Sequence, residues 1–475
     1  MIHRSKKIIG ATILTLCICL IFLLFIKNIH NQKIEKGQEI SIQNEFPPET
    51  AGETKVEVLS ENTQLVLEKI PNSTQVIIRG LNANNQLGNS TETKKIITST
   101  ELRAPKFKDI AVGNNHSVGL TENGEIYTWG HDDAGQLGRE IESVSKNDGV
   151  PQKVNFPQKV KEMDAVYDHT IILAEDGTVW GFGSNFTGQL GDGTNENSAK
   201  PVKAKNLSGI IKIATGDKFT LALNNSGEVF AWGGACAPSS ERILKQFQQG
   251  PLNLSGGYYD QFIDPNRGYN QNQDCLNEDA VGIKSKVPKK IEGIPKMKDI
   301  SAGYGHALLL TIDGKVWSFG CNLYGQLGQG KFGNFLENLK DDPTGNPNNS
   351  IPREITNLEN VISISAGYRH SIALDKDGKI YAWGFQTRSE KQGANIFNSA
   401  NPLIVYSEAK FKNIYSGYDY TLFLDTNGIS YAYGVNTEKL ISPKDTKYVF
   451  EPTKLFDDKI NKIAGGKIHI IGLKK

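Results

Sequence analysis

A chain of 475 residues with 53 lysines and arginines against 52 aspartates and glutamates carries a formal net charge of +1. That balance excludes the broad positive field on which phosphate-driven nucleic-acid binding depends, so no nucleic-acid partner is expected. Its 48 glycines and 9% aromatic content suit many short strands joined by tight turns better than a helical bundle. In chain order the first element is apolar. Arg4, Lys6 and Lys7 precede an uncharged run of 19 residues from Ile8 to Ile26, closed by Lys27. As a helix rising about 1.5 Å per residue it spans roughly 28 Å, the hydrocarbon thickness of a bilayer. The cationic flank predicts a cytoplasmic amino terminus, with residues 1–27 acting as a transmembrane signal anchor and everything beyond on the far side. A cleaved secretory signal is the alternative. It calls for a shorter apolar core and small residues at the cut, and no A-x-A-like site stands between Phe25 and His30. Both readings export the remainder. Residues 28–62 are polar, with Pro47 and Pro48 adjacent, and read as an extended stalk too poor in apolar surface to fold.

From residue 63 to 475 one frame recurs. A histidine or aromatic stands 14 residues before a glycine in six pairs: His116/Gly130, His169/Gly183, Phe219/Gly233, His306/Gly320, His370/Gly384 and Tyr420/Gly434. A proline lies 18 residues before the first marker at Pro151, Pro201, Pro288, Pro352 and Pro402. Asn-Gly, Asp-Gly or Ser-Gly turns begin at Asn123, Asp176, Ser226, Asp313, Asp377 and Asn427, the chemistry of tight hairpins. Each unit thus predicts four strands, exemplified by Pro352–Ile355, Val361–Ser365, His370–Leu374 and Lys379–Trp383, and four strands make one blade. The base period of about 50 residues lies in the range of propeller blades. Two longer intervals mark insertions at about 234–287 and 329–350. At the carboxy terminus, residues 462–473 match the first half of a unit with His469 on the histidine marker, and residues 76–88 match the second half. Joined, the two fragments complete a seventh blade and close the ring. Residues 65–67 are a second candidate for one strand of that blade. The expected fold is all-β: a seven-bladed propeller with four-stranded blades, preceded by a transmembrane helix.

The succession H-x-x-x-L, D-G-x-(V/I)-(Y/W/F)-x-(W/F)-G and G-x-N-x-x-G-Q-L-G resembles the regulator-of-chromosome-condensation repeat, here in an exported, bacterial-type member. The full G-Q-L-G stands at Gly135, Gly188 and Gly325 and is missing after Gly384 and Gly434. The resemblance implies guanine-nucleotide exchange on a small GTPase, chromatin-associated regulation, or secreted inhibition of another enzyme, and fold alone does not choose among them. An exported propeller and a cytosolic GTPase lie on opposite sides of a membrane. The favoured expectation is therefore a monomeric, non-enzymatic binding module for an extracellular or cell-envelope protein or glycan, with exchange activity as the alternative.

Residue chemistry agrees with a scaffold. His116, His169, His306 and His370 could in principle ring a metal, but replacement by Phe219 and Tyr420 in two units points to packing and hydrogen bonding. Neither a phosphate-binding loop nor a zinc motif is present, and no cofactor, metal or catalytic residue is assigned. His131 stands outside the repeat. Recognition falls to the first insertion, where Tyr258, Tyr259, Phe262, Asp264 and Tyr269 mix rigid aromatics with polar residues in the manner of an interface. Cys236 and Cys275 bracket that insertion, and in an oxidising exterior a disulfide between them would staple it.

Overall fold

A computed structural model of the chain describes residues 73–89, 94–140, 147–234, 285–322, 324–331, 349–390, 393–407 and 411–475. These form seven four-stranded sheets, each antiparallel throughout. Blade one comprises Phe107–Val112, His116–Thr121, Ile126–His131 and Asn147–Lys153, from the innermost strand outward. Blades two to six repeat that order without interruption. Blade seven is split: Ile460–Gly465 and His469–Lys474 come from the end of the chain, Ser73–Leu81 and Lys95–Ala104 from its beginning.

The repeat folds this way because each blade is covered on both faces. In blades one to five the second strand is buried at every position, which is why it reads as a continuous apolar run with little alternation. Successive side chains still point to opposite faces. Ile172 joins Val118, Leu120 and Phe182 between blades one and two, whereas its neighbours Ile171 and Leu173 turn to Ala222 and Trp232 between blades two and three. One apolar cluster of this kind lies between every pair of adjacent blades, seven in all among the described residues.

Closure follows the expected pairing. Val76 stands opposite Leu473 and Gly80 opposite His469, so His469 occupies the marker position and His469–Lys474 is the second strand of the split blade. Residues 65–67 lie outside the described residues. So do the apolar segment at 8–26 and the stalk; among the described residues no helix is long and apolar enough to cross a membrane.

The phase of the repeat differs from the expected one. Pro352 lies in Asn349–Glu354, which pairs with Val316–Gly320 of the preceding blade, Trp317 standing opposite Glu354. The proline-marked strand is therefore the outer strand of the blade before it, and the expected four-strand unit straddles two blades. Proline lacks a backbone donor and is tolerated on an outer edge, but that fact does not say which blade owns the edge. Strands resume after the two insertions at Ser285 and Asn349.

In the Asn-Gly, Asp-Gly and Ser-Gly turns only the glycine is left-handed, for example Gly124 at φ +79° and Gly314 at +86°. Gly124 N–H donates to the Thr121 carbonyl at 3.0 Å and Thr121 N–H to the Glu125 carbonyl at 2.9 Å. This is a type I turn closed by a glycine bulge. In blade five the third and fourth strands run on as a hairpin from Ile380–Glu390 to Gly393–Tyr406, with Glu390 opposite Gly393. That extension replaces the G-Q-L-G loop.

A tyrosine-ringed face on an interlocked scaffold

The repeat histidines are structural, and their bonds run between blades. His116 Nε2 meets Thr170 Oγ1 at 3.0 Å, His306 meets Ser371 Oγ at 2.8 Å, His370 meets Thr421 Oγ1 at 3.2 Å, and His469 meets Ser117 Oγ at 2.9 Å. Each hydroxyl belongs to the next blade, one residue past that blade's own marker. Ser117, Thr170 and Ser371 in turn donate to the carbonyls of Gln86, Gln136 and Gln326. A hydroxyl whose proton is committed can only accept from the imidazole, so Nε2 carries the hydrogen in those three histidines. Burial in this apolar wall holds His116, His169, His306 and His469 down to about 3 and His370 to about 4, so all five are neutral.

The two exceptions explain themselves. Phe219 precedes blade four, whose corresponding residue is Ala307, and Tyr420 precedes blade seven, where it is Ile470. Where the next blade has no hydroxyl, the donor histidine is replaced. Tyr420 instead donates its hydroxyl to the Gly466 carbonyl at 2.8 Å. His169, whose counterpart hydroxyl is Thr220, makes no such bond, although Thr220 donates to the Gln189 carbonyl at 2.8 Å as the other hydroxyls do to theirs.

The G-Q-L-G loop is the socket for the same junction. The Gln326 carbonyl accepts the Ser371 hydroxyl and, at 2.8 Å, the indole N–H of Trp383 from the next blade. Leu327 is fully buried, and its N–H is held by Asn322 Oδ1 at 3.0 Å. A Cβ on Gly328 would stand 2.8 Å from the Trp383 ring. The marker glycines Gly130, Gly183, Gly233, Gly320, Gly384 and Gly434 all have φ between +82° and +131°. At Gly320, which faces His306, a Cβ would sit 2.5 Å from the Gly305 carbonyl oxygen.

With the blades committed to one another, chemistry is left to the channel and the two faces. The seven innermost strands enclose a cavity of about 610 Å³, walled by backbone and by small residues such as Ala111, Ala214, Ser301 and Ser365. Inner-edge amides that no fifth strand can pair are partly met by side chains: Asp164 accepts from Thr215 N–H at 2.7 Å, Ser301 from Ala366 at 3.0 Å and Ser365 from Ser416 at 2.8 Å, each reaching the next blade. Lys212 pairs with Asp299, and Lys462 with Asp109 at 3.3 Å. Burial pushes the carboxyl of Glu162 up to about 7 and also raises Asp164.

One mouth of this channel is aromatic. Two residues before each marker the chain turns from the inner to the second strand, and the seven turns present Asn114, Tyr167, Asp217, Tyr304, Tyr368, Tyr418 and Lys467, one per blade. Tyr368 and Tyr418 stack with centroids 4.0 Å apart, and Tyr304 meets Tyr368 edge-on at 4.5 Å and Tyr167 at 6.4 Å. Arg369 binds Asp419 through Nε at 2.9 Å and Nη2 at 2.5 Å. Its guanidinium also lies over Phe385 at 4.3 Å, Tyr324 at 5.0 Å and Tyr368 at 5.4 Å.

Third strands end, and fourth strands begin, on this same face. Gly233 pairs with Ser285 and Gly320 with Asn349, so both insertions are rooted here, as is the hairpin of blade five. Tyr258, Tyr259, Phe262, Asp264, Tyr269, Cys236 and Cys275 all lie outside the described residues. His131 is on this face as well, 2.9 Å from Asp133. Cys321 carries a free thiol that burial pushes up to about 12, which keeps it protonated. Among the described residues no group of three or more His, Cys, Asp or Glu could hold a metal ion.

The tyrosine cluster is not among the repeat markers. Gly-Tyr before x-His or x-Tyr at residues 303–306, 367–370 and 417–420 was its signal.

Fold and contacts together define a closed seven-bladed propeller whose repeats are joined blade to blade through histidine, hydroxyl and glutamine carbonyl. Comparison with known proteins names the class. The regulator of chromosome condensation (RCC1) repeat matches residues 123–173, 176–223 and 313–374, and a second form of that repeat matches 107–136, 160–189, 297–326 and 361–389. The chain is 30% identical over 381 residues to protein pim1 of Schizosaccharomyces pombe, covering 70% of each. It is 26% identical over 309 residues to the ultraviolet-B receptor UVR8 of Arabidopsis thaliana, covering 64% of this chain and 58% of the receptor. The solved structure of Prp20p from Saccharomyces cerevisiae superposes with a TM-score of 0.64 at 23% identity, over 84% of this chain and 92% of that one, a likeness of fold. This chain belongs to the regulator of chromosome condensation repeat family.

Proposed function

We propose that the chain is a non-enzymatic binding propeller that holds a protein or glycan partner against its tyrosine-bearing face. What supports this reading is the gathering of Tyr304, Tyr368, Tyr418 and Arg369 on rigid strand ends around one channel mouth. Tyrosine and arginine are the residue types that dominate binding hot spots. The insertion that carries Tyr258, Tyr259, Phe262, Asp264 and Tyr269 is rooted on the same face, and a Cys236–Cys275 disulfide would staple it. The apolar segment at residues 8–26, read as a signal anchor, makes this an exported member of the bacterial type. Its partner is then an extracellular or cell-envelope component, with inhibition of a secreted or wall-associated enzyme as one specific form.

A second reading, exchange-factor-like regulation of a small GTPase, is favoured by the family itself. Within it the solved Prp20p is described with its binding properties to Gsp1p and histones. The two readings part on topology. Protease added to intact cells digests an exported propeller, whereas full protection in cells whose other surface proteins are cleaved refutes export and favours the GTPase reading.

A further inference from the structure

We infer that the tyrosine-ringed mouth of the channel is a receptor for an alkylammonium group, a primary or methylated amine carried on an aliphatic stem. The inference rests on the reading of this face as the binding face and gives that face a ligand chemistry. Three observations carry it. First, the mouth already holds cations over its rings. Lys467 Nζ stands 5.2 Å from the Tyr418 centroid, and the Arg369 guanidinium 5.4 Å from that of Tyr368. Both distances lie within the reach of a cation over an aromatic face.

Second, the two cations differ in kind. Arg369 is fixed by its two bonds to Asp419 and by the Phe385 ring, so it is part of the wall. Lys467 is a compact charge on a flexible stem, and it acts as an intramolecular stand-in at the position an incoming ammonium would take.

Third, carboxyl groups stand in the ring and along the channel. Asp217, only 5% exposed, follows Tyr167 and precedes Tyr304 in the ring. Inside the channel the charges of Lys212 and Lys462 are matched by Asp299 and Asp109, and Glu162 and Asp164 add further carboxyl groups. The cavity of about 610 Å³ accepts the stem of such an amine. An uncharged alkyl group would forgo the attraction of the ring faces, and an anion would be repelled by them.

The test is a ligand-observed NMR titration of the full chain with choline and with 3,3-dimethylbutan-1-ol, its uncharged isostere. Choline is expected to bind at least about threefold more tightly than the isostere. Lys467→Met removes the internal competitor and should tighten choline binding by roughly threefold to tenfold, with the thermal midpoint unchanged, while Tyr418→Leu should weaken it by a similar factor. Where Tyr418→Leu fails to fold, Lys467→Met decides alone. Equal binding of choline and its isostere, or no gain in Lys467→Met, overturns the inference. Nα-acetyl-lysine amide binding as choline does assigns the amine to a partner's side chain, and choline alone assigns it to a quaternary amine. Phe186, 43% exposed on this face, separates the two levels of the argument. If Phe186→Asp abolishes partner capture while choline never binds, the ammonium receptor falls and the binding face stands; if neither holds, both fall.

Discussion

The pairing of His306 with Ser371 can be tested by building, at the junction of blades four and five, the solution the chain itself uses between blades three and four. In Ser371→Ala the His306 Nε2–H, buried and neutral, loses its acceptor at 2.8 Å. An unsatisfied buried donor costs about 1–3 kcal/mol. The Gln326 carbonyl is spared, since it keeps the Trp383 indole at 2.8 Å. In His306→Phe the donor itself is gone and Ser371 still bonds Gln326, so the loss is one hydrogen bond, about 1 kcal/mol. A phenyl ring is accommodated at this position, because Phe219 already packs onto Gly216 as His306 packs onto Gly303. The double variant recreates the Phe219/Ala307 pair and leaves no orphaned donor. It should therefore be less destabilised than the sum of the singles by about 1–2 kcal/mol. Urea unfolding followed by tryptophan fluorescence, with an unchanged m-value, measures the cycle. Additivity within about 0.5 kcal/mol would refute the claim that the imidazole is retained for the neighbouring hydroxyl.

Three further outcomes follow from the same contacts. The five buried histidines titrate at about 3 to 4 in the folded chain, below their ordinary 6.5. The unfolded chain thus takes up protons first, and stability, complete above about pH 6.5, falls as pH drops toward 3 by about 1.4 kcal/mol per pH unit for each group. Glu162 and Asp168, raised to about 7 and about 6, act in the opposite sense as they protonate in the folded state, but the histidines outnumber them. His306→Phe should flatten the acid limb of a stability-versus-pH curve by one group's slope, and an unchanged limb would contradict the burial argument. Gly320→Ala, at φ +107° with its new Cβ 2.5 Å from the Gly305 carbonyl oxygen, should cost about 2–4 kcal/mol by thermal unfolding; a loss under about 0.5 kcal/mol would refute the close approach. Truncation before residue 469 strips Ser73–Leu81 of its inner partner strand, leaving only Lys95–Ala104 beside it, and exposes an unpaired edge. The truncated chain should lose its cooperative transition and aggregate by light scattering, and a soluble protein with an unchanged transition would contradict closure by the two chain ends.

Much of this architecture was legible because its physics is repeated. A glycine that must lie against the chain before each histidine recurs 14 residues on, and no composition mimics that spacing; the same frame puts His469 on the histidine marker, and it stands opposite Gly80. Phase was not legible. A period states how far apart equivalent strands are, not which neighbour each one pairs with, and Pro352 sits as comfortably on the outer edge of blade four as it would on blade five. The lost G-Q-L-G motifs have two explanations that only pairing exposes. Blade five runs its strands on into a hairpin. Blade six keeps the socket with other residues: Asn436 Oδ1 still accepts from Ile441 N–H at 2.9 Å, and Leu440 and Ile441 are buried where the loop leucine would be.

The tyrosine ring shows the complementary failure. Its residues stand in the sequence beside the histidine marker, at a position that holds Asn, Tyr, Asp or Lys among the seven blades and so contributes nothing to the fixed frame. In a scaffold whose repeated positions are consumed by blade-to-blade contacts, variation at an otherwise regular position is the place to look for recognition. Tyrosine fills four of the seven positions, and Tyr304, Tyr368 and Tyr418 pack together on consecutive blades, on the face where both insertions are rooted. The blade-to-blade contacts do not require that clustering, and rigid clustered tyrosines are a composition typical of binding hot spots.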